Sequence, residues 1–147
     1  MRFLNRFWTA LRAFLTPKGK PVSVGIEEPV TAKLSRFILE SSKISAGRAN
    51  LRAFMPPPDL ELSTYNIDDL SHQEIWQIGD AVRVEQQKET LYGRADLLAK
   101  NIYDVNLRAV RDDQPARHVI VVGWPDDKAQ QKNRAQLLAA ASSYVPR

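Results

Sequence analysis

Hydrophobic positions recur along this chain with two periods, and the changes from one to the other mark out its elements. Placed at about 100° per residue, Phe3, Leu4, Phe7, Trp8, Leu11, Phe14 and Leu15 fall within an arc of roughly 140°, opposite Arg2, Asn5, Arg6, Thr9 and Arg12. This predicts an amphipathic helix over residues 2–15, stopped at Pro17 and followed by the flexible connection Lys18-Gly19-Lys20-Pro21.

Beyond Pro29, the spacing of Leu34, Phe37 and Ile38 predicts a short helix over 31–41. Leu51 to Met55 and the alternating Leu60 to Tyr65 read as two strands joined across Pro56-Pro57-Pro58-Asp59. Ser71 and Glu74 have capping-box spacing and open a helix with Ile75, Ile78 and Val82 on one face. Leu91, Ala95, Leu98, Ile102 and Val105 step by four and three residues, predicting a second helix from about Thr90. Leu107–Val110 and Val119–Val122 are β-prone runs either side of the turn-like 111–115, and should pair. Trp124-Pro125-Asp126 places an acidic N-cap ahead of a last helix, 127–144, expected to bury Leu137, Ala141 and Tyr144. The order α-β-β-α-α-β-β-α implies an α+β fold with a mostly antiparallel four-stranded sheet of two hairpins, helices packed against one face. The chain then divides into a basic amphipathic helix with its connection, 1–21, and a single α+β domain, 22–147.

Composition narrows the function classes. An apolar fraction of 44% and a charged fraction of 26% are those of a globular protein whose length of 147 residues suffices for one core. The absence of cysteine excludes disulfides, thiolate metal sites and cysteine nucleophiles, and fits a reducing, cytoplasmic setting. With two histidines and neither a GxGxxG nor a Walker motif, no metal or cofactor is expected. The net charge is +4, but residues 1–21 contain five basic residues and no acid, so the remainder is close to neutral.

That charge layout makes the N-terminal helix the leading functional element. Arg6 and Arg12 interrupt what a secretory signal would need to be continuous, and 14 residues cannot cross a bilayer, which takes about 20. The helix fits a membrane interface, with Phe3, Phe7, Trp8, Leu11 and Phe14 inserted and Arg2, Arg6 and Arg12 facing anionic headgroups. It equally fits the groove of a protein partner, a second copy of the chain, its own core, or a mitochondrial presequence. The expectation is a non-enzymatic intracellular interaction module, cytoplasmic or peripheral at a membrane. Nucleic-acid binding through the basic segment is a further option, made less attractive by the near-neutral body.

The alternative is an enzyme. His118 opens a buried strand with Arg117 beside it, and an imidazole with guanidinium groups can cleave RNA or process a phosphate. Arg117 and Arg52 are the first candidates to accompany it. Arg94, Arg108 and Arg111 are further phosphate contacts and Tyr65 a second hydrogen-bonding group. The structural alternative is that His118 fills a half-buried slot at a strand end. His72, in the first turn of a capped helix, reads as a surface residue. Asp126-Asp127-Lys128 invites a magnesium-nuclease reading, but acids at a helix N-terminus are explained by capping. Arg94 and Asp96 read as solvated helix positions, Trp76 as packing at the domain's edge, and Trp124 as a lid over the core.

Overall fold

The computed structural model describes residues 25–147, so the expected helix over 2–15 and its candidate contacts lie outside the described residues. Within them the chain runs β1 (Ile26–Glu27), β2 (Lys33–Ile38), a 3-10 turn (Ser41–Lys43), β3 (Ile44–Ser45), β4 (Arg48–Ala49), a second 3-10 turn (Leu51–Phe54), β5 (Leu62–Asn66) and α1 (His72–Glu85). It continues with β6 (Gly93–Leu98), α2 (Ala99–Tyr103), β7 (Arg108–Arg111), β8 (His118–Val122), α3 (Lys128–Ala141) and β9 (Ser143–Pro146). This is an α+β fold, with an antiparallel sheet of seven strands in the order β1-β7-β8-β5-β2-β6-β9 rather than four strands in two hairpins. β3 and β4 form a separate small hairpin.

Strand β2 stands where the short helix over 31–41 was expected, and β6 followed by the short α2 where the helix from about Thr90 was expected. β2 and β6 lie inside the sheet and are covered on both sides. On β2 the apolar residues therefore follow two buried faces instead of one alternating face, and the result imitates helical spacing. On β2, Leu34 and Ile38 enter the main apolar cluster while Phe37, between them, enters a second one. On β6, Ala95 and Leu97 face the main cluster while Leu98 is 39% exposed, and the expected stripe joined this strand to Ile102 of α2 and Val105 beyond it. The segment read as a strand from Leu51 is the second 3-10 turn, capped by Asn50, whose side chain accepts from Arg52 N at 2.9 Å. Of the expected strand pairs, Leu60–Tyr65 with its preceding partner is absent, whereas β7 and β8 pair antiparallel as expected.

Helices cover both faces, not one. The main cluster joins one sheet face to Ala135, Leu138 and Ala139 of α3, with Trp124 closing over it and donating from Nε1 to the Val121 carbonyl at 3.0 Å. The opposite face meets Ile75 and Val82 of α1. Helix α1 starts with the expected capping box, Glu74 N donating to Ser71 Oγ and Ser71 N to Glu74 Oε1. It lies so close to the sheet that a Cβ at Gly79 would come within 2.8 Å of the Phe37 ring. For α3 the cap is Asp127 rather than Asp126, and the helix ends at Ala141. Leu137 is 50% exposed, Ala141 is exposed too, and Tyr144 belongs to the unexpected strand β9. That strand runs across Gly93, where a Cβ would meet Val145 O and Tyr144 Oη at 2.6 Å, so only glycine fits. Among the described residues no helix is long and apolar enough to cross a membrane.

One seam interrupts the sheet. β2 and β6 are in register over six residue pairs, but β2 and β5 over only two, Leu34↔Asn66 and Ser35↔Tyr65. Past Ser35 the strands part. The Arg36 side chain takes up the difference, donating from Nη1 to the Ser63 carbonyl on β5 at 3.0 Å and from Nε to the Ala53 carbonyl at 2.9 Å.

Candidate active site

The parted strands open a narrow cleft of about 80 Å³ between the sheet and the C-terminal end of α1. His118 is 2% exposed and lines it, as do Ser63, Tyr65, Arg36 and Lys43. The pleat explains the grouping. Tyr65 sits opposite His118 and Ser63 opposite Ile120, so the odd residues of β5 and the even residues of β8 share the face that α1 half covers. Ser63 and His118 are then diagonal neighbours.

The imidazole is held at both nitrogens. Asp112 Oδ1 lies 2.7 Å from His118 Nδ1, and Ser63 Oγ lies 2.9 Å from Nε2. A carboxylate accepts, so it takes the Nδ1 proton, leaving Nε2 to accept from the serine hydroxyl. Asp112 is placed by the β7–β8 loop: its Oδ1 also accepts from Gln114 N at 3.2 Å, and the His118 carbonyl accepts from the amides of Asp112 and Asp113. The Tyr65 ring meets the imidazole edge-on, with 5.2 Å between centroids. Serine, imidazole and carboxylate thus form an unbroken hydrogen-bonded relay that ends in the cleft.

Positive charge stands beside the relay. Burial lowers the pKa of the Arg36 guanidinium to about 10, with Tyr65 and Glu40 opposing the shift, so it remains a cation at neutral pH. Burial and then the nearby Arg36 charge hold the Lys43 amine below its ordinary value. Glu40 is pulled below the usual carboxylate range first by Lys43 and then by a hydrogen bond from Lys88. Glu85 contributes a second carboxylate from the helix wall.

Arg117 and Arg52 are not part of this cleft. Arg117 has φ +71°, a left-handed conformation that reverses the chain just before His118, and its guanidinium donates to the carbonyls of Asn66 and Asp68. Arg52 is exposed on the second 3-10 turn. Arg111 forms a two-pronged pair with the buried Glu28, and Arg108 pairs with Glu27. Arg94 is not solvated on a helix. It is 2% exposed on β6 under the opposite end of α1, where it contacts Asp96, His72 and the face of Trp76. Asp126 and Asp127 sit at the α3 N-terminus, and no group of three or more potential metal ligands occurs among the described residues.

Sequence reasoning found His118 and Tyr65 but missed Ser63, Asp112, Arg36 and Lys43. Ser63 falls on the polar side of the alternating run Leu60 to Tyr65, where a serine reads as a solvent-facing residue. Nothing local marked Asp112, which sits in a run with the composition of an ordinary turn. Comparison with protein-family models, with curated proteins and with solved structures finds no match.

Proposed function

We propose that the chain is a hydrolase of small carboxylic esters, with Ser63 as nucleophile, His118 as general base and Asp112 as the carboxylate that fixes the imidazole. The observation behind this is the relay of 2.7 and 2.9 Å ending in a cleft lined by cationic side chains. Serine, base and orienting acid at these distances are recognised as a constellation independently of fold or order in the chain.

The geometry supports a two-step acyl transfer. As Ser63 Oγ bonds to the carbonyl carbon, its proton passes to His118 Nε2 and the carbonyl π electrons move to oxygen. Collapse of that intermediate expels the alcohol, which leaves with the proton from His118. Water repeats the sequence on the acyl-serine, releasing the acid and restoring the hydroxyl. Asp112 keeps Nδ1 protonated throughout and steadies the imidazolium. Arg36 and Lys43 line the same cleft and place positive charge in it. Incubation with p-nitrophenyl acetate and, separately, a fluorophosphonate probe tests the reading. Turnover and a single label on Ser63, both lost in Ser63→Ala and His118→Ala while the folded signal persists, is the expected result. A folded protein with neither turnover nor label removes it.

The N-terminal segment carries a second, separate proposal: residues 2–15 attach the chain to a membrane surface or a protein partner. It rests on the clean separation of Phe3, Phe7, Trp8, Leu11 and Phe14 from Arg2, Arg6 and Arg12, and on the placement of the excess positive charge. Light scattering of the full chain and of a chain starting at Val22, with and without anionic vesicles, decides it. Association confined to the full chain is expected. Equal behaviour of two folded chains, or loss of folding on truncation, rejects attachment.

A further inference from the structure

The wall of the cleft narrows the class of ester that Ser63 would meet. Arg36 uses Nε and Nη1 on main-chain carbonyls, and among the described residues no hydrogen bond or ion pair is formed by its Nη2 or by Lys43 Nζ. Glu40 is hydrogen-bonded to Lys88 at 3.3 Å and reaches Arg36 and Lys43 only as a nearby charge. Two cations lining one confined space, neither hydrogen-bonded to a carboxylate, repel each other, and the Lys43 amine is lowered first by burial and then by the Arg36 charge, with Glu40 opposing. Such an arrangement is retained where an anion from outside completes it.

We infer that the cleft takes the oxyanion head group of its substrate, a carboxylate or a phosphate monoester, against Arg36 Nη2 and Lys43 Nζ, with the scissile ester presented to Ser63. This rests on the relay of Ser63, His118 and Asp112 being catalytic. Size favours a head group: about 80 Å³ is far below the roughly 300–1,000 Å³ of sites that engulf a whole drug-sized ligand, so the remainder of the substrate stays outside. Glu85, on the helix wall, repels an anion entering on that side and so presses the head group toward β2. The substrate class is therefore a short anionic ester rather than a neutral lipid or a polynucleotide.

Binding of inorganic phosphate and of acetate to the full chain, followed by amide and side-chain NMR shifts, separates this inference from the catalytic one. Saturable shifts confined to Arg36, Lys43, Ser63 and His118 are expected with at least one anion. Which anion binds tells carboxylate from phosphate. Lys43→Met should weaken that binding about tenfold or more, the loss expected for a charge-assisted hydrogen bond, and Lys43→Arg should restore most of it. Ser63→Ala should bind the anion as the natural chain does. If Ser63→Ala and the natural chain both bind anions but no ester turns over, the relay reading fails and the anion site stands. If neither anion shifts these residues, or Lys43→Met binds as well as the natural chain, the anion site is overturned.

Discussion

Helix α1 lies across one sheet face and has buried polar groups beneath both ends, yet the two ends are built on opposite terms. Near its N-terminus, Arg94 is boxed in: Nε lies 3.1 Å from Asp96 Oδ2, Nη2 lies 2.9 Å from His72 Nδ1, and the guanidinium carbon is 4.5 Å from the centre of the Trp76 ring. Arg147 reaches the same ring at 5.2 Å and is tied to Asp80 at 2.8 Å. Every one of these partners belongs to the fold. Near the C-terminus, His118 is just as buried, but its chain of partners leads outward through Ser63 into a cleft. A buried charge with internal partners holds elements together, whereas a buried base whose last partner faces a cavity is available for reaction. The contrast makes Arg94 a fastening for α1 and, on the proposed reading, His118 a working group.

Two substitutions press on that contrast. Arg94→Ala should be the most damaging, because it strands Asp96 and removes the surface against which Trp76 packs; a loss of about 3–5 kcal/mol is expected from urea unfolding. A loss below about 1 kcal/mol would mean that Arg94 does not fasten the helix. Ser63→Ala should cost no more than about 1 kcal/mol in the same experiment, since it removes one hydrogen bond at a partly exposed position. A much larger loss would place Ser63 in the frame of the fold and erase the distinction between the two ends.

Legibility in the sequence depended on how local each determinant was. The capping box of α1, the β7–β8 pair and the acidic start of α3 depend on neighbours within a few residues, and their residue types announce them. Strand β2 depends on being enclosed from both sides, which no local window contains, so Leu34, Phe37 and Ile38 imitated one helical stripe while serving two clusters. Strand β9 read as the tail of α3 because Ser142, the residue that turns the chain, resembles any polar helix position. The site divides the same way. His118 at the start of a strand could be read directly, but its pairing with Ser63 spans 55 residues and exists only through the β5–β8 register. Arg36 was hidden because its position was assigned to a helix, and Arg117, adjacent in sequence to His118, is carried elsewhere by its left-handed backbone.

The seam beside Arg36 has a mechanical meaning. With two register pairs joining β2 to β5, against six joining β2 to β6, the sheet is two panels sharing a short fold line. Across the gap, the main-chain ladder gives way to the Arg36 side chain, which ties β2 to the Ser63 carbonyl on β5 and to the Ala53 carbonyl on the second 3-10 turn. The opening beside Ser63 is thus held by side-chain hydrogen bonds, so replacing Arg36 would release β5 from its neighbour there without removing a single ladder bond.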